Sequence, residues 1–166
     1  MATALFISRT DLVKNTIIDG NVDTDKFIQF IKIAQEIHIT NYLGSKLYDK
    51  ISADIVADTL TGDYLSLVKD YIQPMLIHFA MVEYLPFASF QIKNGGVFKH
   101  SSESSESVSK SEIEFLIQKQ RDFSEYYTRR FVDYICFNSA KFPEYLNNSG
   151  SDIDPDKDVN PTNWVF

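Results

Sequence analysis

Between Gln73 and Phe90 the chain reads Gln-Pro-Met-Leu-Ile-His-Phe-Ala-Met-Val-Glu-Tyr-Leu-Pro-Phe-Ala-Ser-Phe, with Gln73, His78, Glu83 and Ser89 the plainly polar residues. A helix that is apolar on nearly every side has to be enclosed by other elements. The stretch therefore predicts a central helix against which the rest of the chain packs. It does not predict a membrane span, which needs about 20 nearly uncharged residues; His78 and Glu83 interrupt this run and Pro74 and Pro86 bound it. Pro74 cannot donate a hydrogen bond inside a helix, so the helix kinks there or starts there. Pro86 bends or ends it.

Two other segments are long and apolar enough to cover that helix. The first opens at Asp23, a good N-cap, with Asp25 in the first turn, and runs to about Leu43. Phe27, Ile31, Ala34 and His38 share one face, and Phe30, Ile33 and Ile37 widen the stripe. Gly44 suits the C′ position, and Ser45 caps a short second piece carrying Leu47 and Ile51. The second segment opens on two overlapping capping boxes, Ser109 with Glu112 and Ser111 with Glu114, and runs to about Asn138. Its stripe is Ile113, Leu116, Ile117, Gln120, Tyr127, Phe131, Tyr134 and Ile135, with Phe123 beside it. At this length it spans about 40 Å.

The connecting stretches carry weaker signals. Residues 3–8 are strand-like or an extended anchor, followed by a short helix over Leu12-Val13-Lys14 capped by Thr10 or Asp11. Tyr64, Leu65, Val68, Tyr71 and Ile72 follow helical spacing. Asn94-Gly95 is a hairpin turn signal, with arms at Ser89–Ile92 and Val97–His100 that carry Phe90, Ile92, Val97 and Phe98. A two-stranded hairpin is marginal in water, so it needs a platform on its own body or on a neighbour. Residues 101–111 are a Ser-rich loop. The expected fold is mainly α: an antiparallel helical bundle around a central apolar helix, with a small β-hairpin (about 89–100) and extended termini. One domain spans 1–146, and an extended acidic C-terminal tail spans 147–166, ending in Trp164-Val165-Phe166.

Charge and motif content narrow the chemistry. The net charge is −7, of which residues 144–166 hold five acids against one base. That balance argues against a protein that wraps duplex DNA through a basic footprint. The sequence has no HExxH, Walker A, GxGxxG or GxSxG motif, and His38, His78 and His100 fall in different elements with no partner at ligand spacing. Asp152, Asp154 and Asp156 alternate like the start of a calcium loop, but Lys157 stands where such a loop needs glycine. Arg121, Arg129 and Arg130 interleave with Asp122, Glu125 and Asp133, the pattern of a solvated helix face. The lone Cys136 forms no disulfide within one chain. No enzyme, cofactor or metal is expected.

The run Phe30-Ile31-Lys32-Ile33-Ala34-Gln35-Glu36, followed by Asn41-Tyr42-Leu43-Gly44-Ser45-Lys46-Leu47-Tyr48, resembles a family of proteins from phages and prophages of Bacteroides-type hosts, the crAss-like phages among them. A hydrophobic helix, a short strand region, a Ser-rich loop, a long aromatic helix and the closing Phe142-Pro143-Glu144-Tyr145 follow in the same order over residues 3–146. The pattern is similar to the helical head–tail connector (adaptor) proteins of tailed phages. The resemblance implies a virion protein made in the host cytoplasm. It would assemble with itself as a ring, usually of twelve copies, beneath the portal protein and against the next tail protein. DNA would be sequence-independent cargo in the channel, and no membrane is implied. Contacts to neighbours are expected from Phe90, Ile92, Asn94, Gly95, Val97 and Phe98 of the hairpin and from Trp164, Val165 and Phe166. Deleting residues 159–166 is then expected to leave a folded monomer that assembles poorly. The same aromatics would equally serve a monomeric phage module that binds a protein or peptide.

Overall fold

The computed structural model describes residues 4–18, 24–88, 90–93, 96–99 and 109–159, and these are mainly helical. In chain order the helices are α1 (Arg9–Asn15), α2 (Thr24–Ala34), α3 (Thr40–Val56), α4 (Gly62–Leu67), α5 (Gln73–Tyr84), α6 (Lys110–Phe137) and α7 (Pro143–Leu146). Strands β1 (Phe90–Lys93) and β2 (Gly96–Lys99) pair antiparallel between α5 and α6.

α5 packs against α2 on one side and α6 on another. Met75, Leu76, Ile77, Phe79, Ala80 and Met81 are buried along it. Its polar residues are each matched by a different neighbour. Gln73 donates to the Phe6 carbonyl at 2.8 Å. His78 Nδ1 meets Gln120 Oε1 of α6 at 2.8 Å, and Glu83 Oε1 meets His38 Nε2 at 2.9 Å. The His38 ring also stacks on Phe79, with centroids 4.1 Å apart. Each of these half-buried polar groups thus keeps a partner, which is what allows so apolar a helix to carry polar residues. Pro74 lies in the first turn of α5, directly after a π-helical turn over Val68–Ile72. Proline offers no N–H to the carbonyl four residues earlier and its ring crowds that carbonyl. Across that wider turn Gln73, the residue before the proline, donates its N–H to the Val68 carbonyl five residues back.

Burial holds the His78 imidazole below its ordinary value of 6.5, against a smaller opposing effect from Gln120. A base whose folded pKa is depressed stays neutral in the folded chain while the unfolded chain takes up the proton. Stability is therefore complete above the unfolded value and falls as pH drops below it. The urea midpoint is expected to decrease between pH 7.5 and pH 5.5 in the native chain and to decrease less in His78→Gln.

Several expectations from the sequence shift by a turn. α1 is capped by Ser8, not Thr10 or Asp11. Ser8 Oγ accepts from Asp11 N at 3.3 Å, while Asp11 Oδ2 accepts from Ser8 N at 2.7 Å. Residues 4–8 form no strand. They are instead held by Gln35, whose Oε1 accepts from Phe6 N at 3.0 Å and whose Nε2 donates to Ala4 O and the Tyr48 hydroxyl, both at 2.8 Å. Gln35 is 1% exposed and opens a π-helical turn, Gln35–Ile39, that replaces the unbroken helix expected from Asp23 to Leu43. Ile33 of α2 and Ile37 of the π-helical turn are exposed, so this run is covered on fewer sides than its stripe suggests. At the start of α6 the Ser109–Glu112 box is present, whereas Ser111 lies inside the helix with its hydroxyl on Ser109.

The largest departure concerns the acidic tail. Residues 147–152 turn, with Ser151 N donating to Asn148 O at 3.1 Å, and 153–158 continue without regular structure; together they are strapped across a break at Gly44 inside α3, where φ is 72° and ψ is 161°. In an unbroken helix Ser45 N–H would bond the Asn41 carbonyl and Lys46 N–H the Tyr42 carbonyl. Here Ser45 N donates to Ile153 O at 3.0 Å, and Asn41 O accepts from Asp156 N at 2.8 Å. Lys46 N donates to Asn148 Oδ1 at 3.1 Å. The strap thus supplies partners to a donor and an acceptor that the break separates, and Asn148 acts as a cap from a distance. Ser45 does not cap its own helix; its hydroxyl accepts from Ile153 N at 3.0 Å. Lys46 Nζ closes over the strap on the carbonyls of Asn147 and Ser149. Burial, with Asp156 and Asp158 adding to it, pushes the Tyr42 hydroxyl up to about 12. Asp154 accepts from Asn148, and Asp156 from the Asp158 amide. Through Val159, which packs against the core, this segment belongs to the folded body.

Candidate assembly surfaces

The site residues expected from the sequence fall in two groups. In the strand pair, Phe90 lies opposite Lys99, Gln91 opposite Phe98, Ile92 opposite Val97 and Lys93 opposite Gly96. Phe90 is 51% exposed. Phe87, in the 3-10 turn Leu85–Phe87 just before it, is also exposed, although its ring stacks on Phe30 at 5.5 Å. The intervening Asn94 and Gly95 lie outside the described residues, as do His100 and Trp164, Val165 and Phe166. The structure therefore places Phe90, Ile92, Val97 and Phe98 in one antiparallel pair.

A further apolar surface was not anticipated. The buried residues of α6, namely Ser124, Thr128, Phe131, Val132 and Ile135, all lie in its second half. Ser124 and Thr128 are small and bond backward to Arg121 O and Ser124 O, both at 2.7 Å, so α6 meets α5 without an unpaired hydroxyl there. On the opposite side Phe115, Tyr126 and Phe137 are 61%, 62% and 91% exposed. They recur every eleven residues. Eleven residues make three turns plus about 20°, so the three rings form one row along the outer face, roughly 33 Å from end to end. Charged side chains separate them: Lys119 lies 5.8 Å over the Phe115 ring, and Arg130 lies 5.2 Å over Tyr71. The signal in the sequence was the eleven-residue spacing of aromatics. It was hidden by the stronger inward stripe of Tyr127, Phe131 and Tyr134.

Pocket chemistry offers less. A cavity of about 220 Å³ lies between α1, α5 and α6, lined among others by Asp11, Gln73, His78 and Tyr127. Asp11 is engaged in the α1 capping box, Gln73 with Phe6 and His78 with Gln120. Among the described residues no group of three His, Cys, Asp or Glu side chains is placed to hold a metal ion, and no helix is long and apolar enough to cross a membrane.

A model described as a family of unknown function, DUF6712, matches residues 39–155. The chain belongs to the DUF6712 family. The matched region of this DUF6712 protein contains the Gly44 break together with Asn148, Ile153 and Pro155 of the strap. It thus takes in a segment that the connector resemblance, ending at residue 146, leaves out. No curated protein and no solved structure matches the chain.

Proposed function

We propose that this DUF6712 protein is a structural subunit of a tailed-phage virion, a head–tail connector that forms a ring beneath the portal and continues the DNA channel. In this reading the helices form an antiparallel bundle organised around α5, from which the β1–β2 pair projects toward a neighbour. The observation that carries it is the form of that pair. It is a sheet of only two strands among the described residues, rooted at the exposed Phe87 and Phe90. Two strands alone are marginal in water, and an open strand edge is a ready site for pairing with another chain. A contact in which one face meets a different face of the next copy closes into a ring when the rotation permits. The motifs quoted above for the connector resemblance support the same role.

Quantitative mass spectrometry of purified particles tests the reading. The chain is expected at about the copy number of the portal protein; its absence from particles would favour a monomeric binding module instead. Because Val159 packs against the core, the informative truncation removes 160–166. That variant is expected to keep native helicity and to assemble less well on purified portal. Unchanged assembly would remove Trp164, Val165 and Phe166 from the contact.

A further inference from the structure

The outer face of α6 is arranged symmetrically about Tyr126. Phe115 and Phe137 lie eleven residues to either side of it, Lys119 and Asp133 seven, Asp122 and Arg130 four, and Phe123 and Arg129 three. All of these residues are exposed. By helical geometry they lie within about 60° of the Tyr126 direction. Every couple joins groups that attract: two aromatic rings, two ion pairs of opposite sign, and a guanidinium with a ring. No couple joins like charges.

This pattern is what a helix needs in order to meet its own copy running antiparallel. In a two-fold contact residues equidistant from the axis face each other across the interface. With the axis at Tyr126, Phe115 of one copy comes level with Phe137 of the other. Lys119 comes level with Asp133, and Asp122 with Arg130, each twice. A parallel alignment in register would instead set each charge against its own copy. The row drifts by about 20° every eleven residues, a period that favours a right-handed crossing.

We propose that the outer face of α6 docks against the same face of a second copy, antiparallel and centred on Tyr126. Burial of Phe115, Tyr126 and Phe137 supplies apolar area, and the four charge couples fix direction and register. A two-fold contact of this kind is complete at two copies. It concerns the chain free in solution, uses none of the hairpin or C-terminal residues assigned to the ring, and holds or fails independently of that reading.

Sedimentation velocity of the full chain at low ionic strength tests it. A concentration-dependent dimer of twice 19.1 kDa is expected, weakening as salt screens the couples. Lys119→Asp and Asp133→Lys each set like charges against each other and are expected to weaken the dimer about tenfold or more. The double variant exchanges the signs and restores it. Lys119 and Asp133 are chosen because the contacts Lys119 makes within the chain, to Phe115 and to Asp122 at 3.8 Å, stay on α6 itself, whereas Arg130 reaches Tyr71 on another element. Tyr126→Asp, which places two carboxylates at the axis, is expected to give monomer with native circular dichroism. A chain that stays monomeric at millimolar concentration overturns the proposal. So does a dimer indifferent to the single reversals, or one that the double exchange fails to restore.

Discussion

Replacing Gln35 by leucine is expected to lower the unfolding free energy by about 2–6 kcal/mol, because two backbone groups lose their partner in a buried site at roughly 1–3 kcal/mol each. Gln35 holds both Phe6 N and Ala4 O. A leucine of similar size fills the space but satisfies neither group, and nothing local to residues 4–8 replaces the bonds because no strand pairs there. Phe6 and Ile7, each 2% exposed, would lose the contact that holds their backbone in place. Domains of this kind are stable by only about 5–15 kcal/mol, so the change consumes a large share. Urea unfolding checks the magnitude. Hydrogen exchange checks the mechanism, through selective loss of protection at the Phe6 amide. Gln73→Leu is the control: it removes only the bond to Phe6 O and is expected to have a smaller effect.

Substituting Gly44 by alanine is expected to detach the strap while the body remains helical. A Cβ at this position would lie 2.8 Å from Pro155 Cγ and Cδ and 3.1 Å from Asn148 Oδ1. The backbone there, at φ 72° and ψ 161°, also lies in a region essentially reserved for glycine, which costs any other residue about 1–3 kcal/mol. Both effects act against the strapped state. Lifting the strap exposes Asn148, which is 3% exposed when bound, and removes partners from Asn41 O, Ser45 N and Lys46 N. The expected result is rapid proteolysis within 147–159 and fast exchange at the Ser45 and Lys46 amides, with most of the circular dichroism retained. Gly62 provides a comparison. Its φ is also positive, at 61°, but a Cβ there would meet nothing within 4 Å. Gly62→Ala should therefore carry only the backbone penalty and leave the strap in place.

These two positions also mark the limits of the sequence. Gln35 was legible as part of the helical run from Asp23 to about Leu43, but its role was not. A buried glutamine is recognised by what it bonds, and its partners lie 29 and 31 residues away at Phe6 and Ala4. Gly44 was legible as a helix stop because only its own backbone freedom is involved. The segment that fills the break was not, because an Asn-, Asp- and Pro-rich stretch has the composition of a free tail whether or not a slot receives it. Asn148 caps Lys46 from 102 residues away, and no local pattern encodes that distance.

The apolar run after Gln73 and the repeating inward positions of the long C-terminal helix set the mainly helical class from the sequence alone. Ser109 and Glu112 likewise located the start of α6, since a capping box is made within four residues. Helix periods and caps depend on near neighbours, so they survive in the one-dimensional record. Tertiary packing decided which apolar residues remained outside. Ile37 and Phe137 have the same character as Ile31 and Phe131, yet the first two face outward and the second two are buried. Burial depends on which elements arrive from elsewhere in the chain to cover a face. For α6 they cover one side only, and the row of Phe115, Tyr126 and Phe137 is left exposed on the other.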